Sequence, residues 1–484
     1  MSLAARFLAG DPAAPALLGP RACTRGELRA RVASLAGALV AAGVGSDAPV
    51  LIGTPNDDRF VVAYLATLWC GAVAVPVNPR APEPELTREA QLVGPVAVIA
   101  HDCDALVAVA HALAVPVCSP DASGLAIECV DRADADPAAL LFTAGTGGPP
   151  KAATLTHGSL GANLDQLLAH PAINLGPSDV GLGVLPFFHV FGLNVGLGLA
   201  LAAGAPLVPV AEFDPAGSLR TVQEFGVTVI GAVPALYDAW CQVVDGPSDA
   251  LSTVRLAVSG GAALAPALAA RVHDRFGITV YEGYGLTETS PVVSTTIGLD
   301  PPPPGSIGTP LPGVEVRIVD SDGEDVVAGD PGEVWVHGPN VFAGYWHDDD
   351  ATGRAITSDG WLRTGDIAVR EANGALRLVD RAKDLVIVSG FNVYPGEVED
   401  VLRAHSDVVD VAVAGVPDVR SGEAVAAWVV LAPGASPDAI ALDALATRQL
   451  SRYKRPTRYE FVAELPRTFI GKLQRRVLRD DPPQ

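Results

Sequence analysis

The stretch VTVIGAVPALYDAWCQVVDGPSDALSTVRLAVSGGAALAPALAARVHDRFGITVYEGYG, residues 227–285, decides the fold class of this chain. Three short apolar runs, VTVIGAV, VRLAVSGG and ITVYEGYG, alternate with two longer amphipathic runs, PALYDAWCQVV and LAPALAARVHDRFG. The short runs predict buried strands and the longer runs predict helices. Because strands that alternate with helices at this spacing build parallel sheets covered by helices, the stretch predicts an α/β fold.

The same alternation extends towards the N-terminus. Thr24-Arg25-Gly26-Glu27 forms a capping box that predicts the start of a helix over LRARVASLAGALVAAG. Residues 47–53 then predict a buried strand and FVVAYLATLWCG a second helix, while APLVPV and DPAGSLRTVQEFG predict a further strand and helix. These segments predict parallel sheets with helices through most of the chain.

Residues 181–211 contain no Asp, Glu, Lys or Arg, and the run is long enough to span a membrane. Pro186, Pro206, Pro209 and His189 interrupt it, together with several glycines. We therefore expect a strand, a buried helix and a second strand, with no integral membrane span.

The character of the sequence changes after PPPPG at residues 301–305. VEVRIV, GEVWVHG and ALRLVD are short strand-like runs separated by turn sequences, which predict a β-rich subdomain. From residue 381 onward, two strand-like runs and two helical runs predict a small α+β domain. The predicted organisation is a large N-terminal domain over residues 1–380, a hinge at 381–383 and a C-terminal domain over 384–484.

Composition excludes several classes of protein. The formal net charge is −22, and basic and acidic residues are equal in number from residue 381 onward, so the deficit lies in the N-terminal part. Such a surface repels phosphate backbones, so we expect no nucleic-acid partner. The six cysteines show no zinc-ligand spacing, and MSLAARFLAGDPAAP has too short an apolar run for a signal peptide. We expect a cytoplasmic protein.

Candidate chemistry begins with LFTAGTGGPPKAATLTHG, residues 141–158. Its glycines can turn backbone N–H groups towards an anion, and its threonines and single lysine add further donors. The segment is not a standard nucleotide P-loop, because Ala152 follows the lysine where that motif has Ser or Thr. On its own, the segment is equally typical of a glycine-rich surface loop.

Four further segments follow in a fixed order: YEGYGLTETSP (281–291), GWLRTGD (360–366), VDRAKDLVIVSGFNVYPGEVE (379–399) and PRTFIGKLQRR (466–476). Together with the loop at 141–158 they resemble the adenylate-forming superfamily of acyl-CoA synthetases, adenylation domains and luciferases, and most of all the fatty-acyl-CoA synthetases. The resemblance covers nearly the whole chain. It implies a small C-terminal domain that rotates between two half-reactions.

The resemblance implies an acid–CoA ligase of the AMP-forming type. Such an enzyme makes acyl-AMP and pyrophosphate from a carboxylic acid and Mg·ATP, and CoA then displaces AMP to give a thioester. Its small-molecule partners would be the acid, ATP with Mg²⁺, and CoA. The sequence leaves the oligomeric state open.

The same resemblance assigns roles to individual residues. Glu288 matches the magnesium ligand, Lys151 a phosphate ligand and Lys472 the lysine of the first half-reaction. Lys383 matches the hinge, and His189 the tunnel between the acyl and CoA sites. The matched ATP- and AMP-binding positions are Thr143, Gly145, Thr146, Gly147, Gly148, Lys151, Gly260, Gly261, Tyr281, Gly283, Tyr284, Thr287, Asp366 and Arg381. The acyl pocket would be formed by Phe188, His189, Phe191, Val233, Pro234, Tyr237 and Gly285, and the CoA channel by Ser389 and Gly390.

The chain departs from the family pattern in the loop. Most members have Ser, Thr and Gly at the positions of Ala144, Gly147 and Ala152, so two hydroxyl donors to phosphate are missing. Each is worth about 1–3 kcal/mol where its contact is charge-assisted. We expect weaker ATP binding, and a non-catalytic binder stays open as an alternative.

The segment at 181–211 bears on the choice of acid. Its lack of an acidic residue disfavours a free amino acid, because a buried ammonium needs a partner. Gly283 stands where malonate-activating relatives place Arg, and Gly285 where acetate-activating relatives place a Trp that blocks the pocket. An apolar acid, a medium- or long-chain fatty acid above all, is therefore favoured, and an aromatic acid stays open, as does ordinary core packing for each aromatic residue.

The acceptor is read from the hinge region. Fatty-acyl-AMP ligases, which load carrier proteins, carry an insertion before the hinge, whereas ALRLVDRAKDLVIVSG runs through without one. This favours CoA over a carrier protein.

Overall fold

The structure, a computed structural model, describes residues 2–143, 150–244, 246–381, 384–388, 391–418, 422–450, 452–467 and 473–480. The chain divides into two compact units, Met1–Glu315 with Val336–Leu362, and Val316–Trp335 with Arg363–Gln484. The predicted hinge at 381–383 falls within the second unit's sequence and lies partly outside the described residues, so it stays a prediction.

The described helices are spread over both units. They are α1 Leu3–Phe7, α2 Arg25–Ala41, α3 Asp58–Trp69, α4 Glu83–Val93, α5 Asp104–Ala112, α6 His157–Leu168, α7 Leu199–Ala202, α8 Pro215–Phe225, α9 Pro234–Gln242, α10 Pro266–Phe276, α11 Asp349–Ala355, α12 Pro395–Arg403, α13 Ala439–Gln449 and α14 Arg475–Asp480. A π-helix spans Phe191–Gly198, and 3₁₀ turns span Thr287–Thr289 and Arg452–Lys454.

The described strands are mostly short. They are β1 Pro15–Leu17, β2 Cys23–Thr24, β3 Pro49–Gly53, β4 Val73–Pro76, β5 Ala97–Ala100, β6 Val117–Cys118, β7 Pro137–Thr143, β8 Lys151–Thr156, β9 Gly181–Gly183, β10 Leu207–Pro209, β11 Val229–Ala232, β12 Leu256–Ser259, β13 Val280–Gly285, β14 Val292–Thr295, β15 Ser306–Pro310, β16 Glu315–Val319, β17 Gly332–His337, β18 Gly344–Tyr345, β19 Leu362–Arg370, β20 Leu376–Arg381, β21 Val386–Val388, β22 Phe391–Val393, β23 Val408–Asp418, β24 Gly422–Leu431 and β25 Arg458–Phe461.

The stretch at 227–285 forms the centre of the first sheet. In the first unit the strand order is β15-β14-β13-β12-β11-β9-β10-β1-β2, and the strands from β13 to β1 run parallel. Helices α9 and α10 follow β11 and β12, and they bury Tyr237, Trp240 and Val272 in the core beside Ile230. The alternation predicted from sequence is confirmed, because each apolar run is long enough for one buried strand.

The second sheet of this unit has the order β18-β8-β7-β4-β3-β5-β6. Its strands from β7 to β6 are parallel, and β8 and β18 extend the β7 side antiparallel. Its core contains Leu51, Val75, Val98 and Leu140. The sheet matters for function because β7 and β8 flank the glycine-rich loop.

Helix α2 begins where the capping box predicts. The Thr24 hydroxyl accepts a hydrogen bond from the Glu27 N–H at 3.2 Å, and the Glu27 carboxylate accepts one from the Thr24 N–H at 2.8 Å. Two N–H groups that lack partners in the first helical turn are thereby satisfied. This local signal fixes the helix start regardless of tertiary packing.

The charge-free run at 181–211 forms β9, the π-helix, α7 and β10, in the predicted strand–helix–strand order. Its helix is π rather than α as far as Gly198. The run holds Gly192, Gly196 and Gly198, which lower α-helical propensity, and a Cβ at Gly192 would lie 2.1 Å from the Pro186 carbonyl oxygen. None of the described helices is long and apolar enough to cross a membrane.

The second unit combines two groups of strands with helices. Strands β16, β17, β19 and β20 lie side by side, and a separate sheet has the order β22-β21-β24-β23, with β25 paired to β24. Helices α12 and α13 pack on this sheet through Val398, Leu402 and Leu442. The predicted β-rich segment and small α+β domain are confirmed.

Candidate active site

The glycine-rich loop connects the two strands of a hairpin. Strands β7 and β8 are antiparallel, and Thr143 lies directly opposite Lys151. The two residues that flank the predicted phosphate loop are therefore brought together. Residues 144–149 lie outside the described residues, so the roles of Gly145, Thr146, Gly147 and Gly148, and the effect of Ala144, stay predictions.

Ala152 has its side chain in the hydrophobic core and its carbonyl bonded to the Trp346 N–H at 2.8 Å. The methyl group therefore faces the core, whereas the next residue back, Lys151, points to the other face of the strand. This departure from the family pattern adds no side chain on the face that carries the lysine.

Tyr345 links two predicted ATP ligands. Strand β18 pairs with β8, opposite Ala153, and the Lys151 Nζ lies 4.7 Å from the centroid of the Tyr345 ring. The Tyr345 hydroxyl donates a hydrogen bond of 2.8 Å to Glu288 Oε1. Lys151 and Glu288, far apart in sequence, thus meet at one tyrosine that sequence analysis missed.

The turn that carries Thr287 and Glu288 is a single 3₁₀ turn after β13. It ends at Ser290, whose φ of 66° is in the left-handed region. The Glu288 carbonyl accepts a hydrogen bond of 2.9 Å from the Phe342 N–H. The backbone of the turn is therefore bonded to the same segment that carries Tyr345.

Three buried amide side chains hold the residues that follow Glu288. Asn163 on α6 bonds both the N–H and the C=O of Val292, at 3.1 and 2.8 Å. Asn194 on the π-helix donates to the Ser290 carbonyl at 2.7 Å, and Asn340 donates to the Thr289 carbonyl at 2.9 Å. These partners come from three distant segments, so no local pattern in the sequence points to them.

Glu288 fits a metal ion that arrives with a nucleotide. Among the described residues, no group of three or more His, Cys, Asp or Glu side chains is placed to hold a metal. Mg²⁺ in nucleotide sites is commonly bound by one or two carboxylates, with phosphates and waters completing its octahedron. A single carboxylate held at one oxygen by Tyr345 suits that arrangement.

The carboxyl ends of β11 and β12 lie against the Phe191 ring. A Cβ added at Gly260 would lie 3.0 Å from the ring's Cε1 and 3.2 Å from the Gly283 carbonyl oxygen, and one at Gly231 would lie 3.5 Å from Cε2. Gly261, with φ of 79°, has Val233 as its nearest neighbour, at 3.6 Å from such a Cβ. Phe191 and Val233, predicted to line the acyl pocket, therefore lie beside Gly260, Gly261 and Gly283, which the resemblance had assigned to ATP and AMP binding.

The aromatic residues of the segment LPFFHVF, residues 185–191, differ in burial. Phe187 is fully buried against Phe60, with ring centroids 5.3 Å apart, whereas Phe188, His189 and Pro234 are only half-buried. His189 Nδ1 accepts a hydrogen bond from the Phe191 N–H at 3.3 Å. Its tunnel role stays a prediction.

Tyr237 and Gly285, both predicted to line the acyl pocket, have structural roles. Tyr237 is fully buried, bonds the Val258 carbonyl at 3.1 Å and packs edge-on against Trp240, so the structure places it in the core. A Cβ at Gly285 would lie 1.8 Å from the Pro291 carbonyl oxygen. The chain after Glu288 approaches position 285 closely enough in this structure to favour a glycine, and the role of Gly285 in the pocket stays a prediction.

Asn56, which follows β3, holds the LPFFHVF segment from the other sheet. Its amide nitrogen donates to the carbonyls of Gly183, Leu185 and Val210 at 2.9–3.2 Å, and its oxygen accepts from the Phe187 N–H at 2.7 Å. One side chain therefore sets the path of the chain just before Phe188. Sequence analysis missed it, because an Asn before an Asp reads as an ordinary turn.

Strand β13 also presents aromatic and acidic side chains near its carboxyl end. Of two predicted ATP- and AMP-binding tyrosines, Tyr284 is buried at 7% exposure and Tyr281 is half-buried. Glu282 accepts a hydrogen bond from the Leu264 N–H at 3.1 Å, and burial raises the pKa of its carboxyl to about 7. Sequence analysis did not single out Glu282.

The second unit holds Asp366 and Arg381, two of the predicted ATP- and AMP-binding residues. Asp366 on β19 is 3% exposed and lies opposite Arg381 on β20. The turn before Asp366 is held by Glu333, whose carboxylate accepts from the Gly365 N–H at 3.0 Å. Lys383, Ser389, Gly390 and Lys472 lie outside the described residues.

Comparison with known proteins gives consistent matches. The sequence matches "AMP-binding enzyme" over residues 4–346 and "AMP-binding enzyme C-terminal domain" over residues 397–472. A long-chain-fatty-acid–CoA ligase of Yersinia pestis is 41% identical over 354 residues, which are 72% of this chain but only 62% of the relative. The chain therefore matches less than two thirds of that relative's length.

Two further comparisons cover nearly the full length. A Mycobacterium tuberculosis ligase that joins CoA to a propanoyl group bearing a methyl-dioxo-octahydroindenyl ring is 36% identical, over 95% of this chain and 94% of the relative. The crystal structure of ATP-bound MatB from Rhodopseudomonas palustris superposes with a TM-score of 0.93 at 33% identity, over 99% of this chain and 98% of that one. With its loop-bearing hairpin, its Glu288 turn and these matches, the chain belongs to the AMP-binding enzyme family.

Proposed function

We propose that this chain is an AMP-forming acid–CoA ligase for an apolar carboxylic acid. The observation that carries the proposal is the meeting of Lys151 and Glu288 at Tyr345, beside the hairpin that bears the glycine-rich loop. A cation and a carboxylate at one place are what a phosphate chain and its Mg²⁺ require. Family membership supplies the two-step reaction.

In the first step a carboxylate oxygen attacks the α-phosphorus of ATP, the bond from that phosphorus to the bridging oxygen breaks, and pyrophosphate leaves. Two anions must approach each other, so positive charge is needed on both sides of the reacting phosphate. Lys151 and the loop N–H groups would bind the β- and γ-phosphates, Glu288 would hold Mg²⁺, and Lys472 would bridge acid and α-phosphate. Asp366 and Arg381 would bind the ribose.

In the second step the CoA sulfur attacks the acyl carbon, the bond from that carbon to the AMP oxygen breaks, and the thiol proton is lost. Ser389 and Gly390 would line the pantetheine channel, and His189 would lie where the thiol meets the acyl group. Between the two steps the C-terminal domain would rotate about Lys383, which would move Lys472 out of the site and bring this channel to it.

The residues around Phe191 support an apolar acid as the substrate. Its ring and the glycines around it offer carbon atoms and backbone, and the charge-free run at 181–211 supplies no partner for a substrate ammonium. Relatives that activate a long-chain fatty acid and a bulky ring-bearing acid both fit this chemistry. We favour a medium- or long-chain fatty acid, with an aromatic acid as the second candidate.

The test is a product assay by mass spectrometry. The full chain is given Mg·ATP, CoA and a panel of aliphatic acids of increasing length together with aromatic acids, and the Lys472→Ala variant is run beside it. The expected result is an acyl-CoA thioester for apolar acids from the wild type. The variant should fail with the free acid but still convert synthetic acyl-AMP.

Other outcomes would change the assignment. Acyl-AMP without thioester would reassign the acceptor to a carrier protein. Neither product, together with no binding of Mg·ATP by calorimetry, would contradict the ligase assignment and favour a non-catalytic member of the family.

A further inference from the structure

Tyr345 is held rigidly where β18 meets β8. Its N–H donates to the Thr352 hydroxyl at 2.9 Å, and the next residue, Trp346, donates its N–H to the Ala152 carbonyl at 2.8 Å. The Tyr345 ring packs edge-on against Phe342 with centroids 5.0 Å apart. The backbone and the ring of Tyr345 therefore both have partners within the chain.

The two ends of this side chain carry opposite charges. Lys151 lies over the ring face, where the π-electrons attract a cation, and Glu288 accepts the hydroxyl proton in a hydrogen bond. Donation to a carboxylate also adds electron density to the ring, which strengthens its attraction for the lysine.

Among the described residues, Lys151 and Glu288 form no ion pair with each other, and each contacts Tyr345. In a partly buried site an ammonium and a carboxylate attract strongly, and a direct ion pair would occupy the groups that phosphate and metal need. The neutral Tyr345 side chain contacts both charged groups. Among the described residues, this leaves one Glu288 oxygen and the Lys151 ammonium donors for a ligand. The same two groups would otherwise have to be separated whenever ATP binds.

We propose that Tyr345 is the positioning residue of the phosphate site, which holds Lys151 and Glu288 apart and ready for Mg·ATP. The inference rests on the proposed function, because it assumes that these two residues bind ATP and its metal. It assigns to Tyr345 no contact with reacting atoms. Its effect is therefore expected in nucleotide binding and in the dependence on Mg²⁺.

Two variants separate the two ends of the side chain. Tyr345→Phe keeps the ring under Lys151 and removes only the bond to Glu288. Its affinity for ATP should fall about 10-fold with Mg²⁺ present and stay unchanged with EDTA, because only the metal ligand is released. Tyr345→Leu removes both contacts, so its ATP affinity should fall with and without Mg²⁺.

The experiment is calorimetric titration of ATP into the full chain, with Mg²⁺ or with EDTA and without acid or CoA. Tyr459→Phe is the matched control, because that buried hydroxyl has no hydrogen-bond partner in the described structure. Thermal unfolding of each variant checks that it is folded. The Mg²⁺-specific loss in Tyr345→Phe is the expected result.

Two results would overturn the inference. If the wild type binds Mg·ATP and both variants bind it equally well, Tyr345 positions nothing and the proposed function stands. If the wild type itself fails to bind Mg·ATP, the proposed function falls together with the inference.

Discussion

The phosphate side and the acyl side of the candidate site are built by different forces. On the phosphate side, Glu288 and the turn around it are held by directed hydrogen bonds from Tyr345, Phe342 and buried Asn side chains. On the acyl side, the Phe191 ring packs closely against Gly231 and Gly260, at the carboxyl ends of β11 and β12. One side is specified by polar geometry and the other by the absence of side chains.

This difference predicts how each side tolerates change. A polar site fails when one donor or charge is removed, since the remaining groups lose a partner. A packed site fails when volume is added, since neighbours must move. The phosphate side should therefore be sensitive to isosteric changes of charge, and the acyl side to single added carbon atoms.

The largest effect is expected for Glu288→Gln. The Tyr345 hydroxyl can still donate to the amide oxygen, so the fold is kept while the negative charge is lost. Formation of acyl-AMP, followed as pyrophosphate release, should fall about 10²–10³-fold, as when one electrostatic contact is removed from other active sites. Glu324→Gln, an exposed residue between β16 and β17, removes the same charge elsewhere and should change little.

A Glu288→Gln rate within a few-fold of the wild type would break the comparison. It would mean that the hydrogen-bonded side of the site is structural and that the metal is held elsewhere.

The predictability of the two sides follows from the range of their interactions. The helix at Thr24 and the strands of 227–285 are encoded locally, by a capping box and by hydrophobic periodicity, and they were predicted correctly. Tyr345 could not be found in this way, because its role depends on the register of a two-residue strand with β8. The close contact at Gly285 was hidden for the same reason, since the atom that a side chain there would meet is the Pro291 carbonyl oxygen.

The burial of Tyr237 in the core is indicated by a local pattern in the sequence. Trp240 lies three residues later on the same helix face, so the pair had the spacing of a core stripe. The assignments of Lys151 and Glu288 came from the family resemblance. Sequence patterns alone indicated the chemistry of each residue but not that both contact the same tyrosine.

The next largest effect is a loss of folding stability at low pH, caused by a histidine at the start of the helix that follows β8. His157, the first residue of α6, is 3% exposed and accepts a hydrogen bond from the Leu3 N–H at 3.2 Å. Burial, with a smaller contribution from Arg132, lowers its pKa from 6.5 to about 4. The unfolded chain therefore binds more protons between these values, so stability falls as the pH drops through this window, by about 2 kcal/mol at pH 5.

Urea unfolding at pH 7 and pH 5 measures this loss, and His157→Gln, which cannot be protonated, should lose less than the wild type over the same interval. Glu89 and Glu282, whose pKa values burial raises to about 7, shift stability in the opposite direction. They are present in both proteins and cancel in the difference. His111→Gln, an exposed change on α5, should keep the wild-type loss, and equal losses in wild type and His157→Gln would refute the assignment.

The smallest effect is expected for Gly260→Ala, at a position that the resemblance assigned to ATP and AMP binding but that lies against the Phe191 ring of the acyl side. The new Cβ would lie 3.0 Å from the Phe191 ring and 3.2 Å from the Gly283 carbonyl oxygen, so the ring must shift by a few tenths of an ångström. We expect kcat/KM for the longest accepted acid to fall about 10-fold, with shorter acids less affected and ATP affinity unchanged. Steady-state kinetics across an acid series, with calorimetry for ATP, measures both.

Gly353→Ala is the matched control for this change, because Gly353 lies in α11 with no atom within 4 Å of the added Cβ. It should leave the acid series unchanged and stabilise the helix by about 0.5–1 kcal/mol. If Gly260→Ala weakens ATP binding and lowers kcat/KM equally for every acid, Gly260 belongs to the nucleotide side. The boundary between the hydrogen-bonded and the close-packed halves of the site would then run between Gly260 and the Phe191 ring.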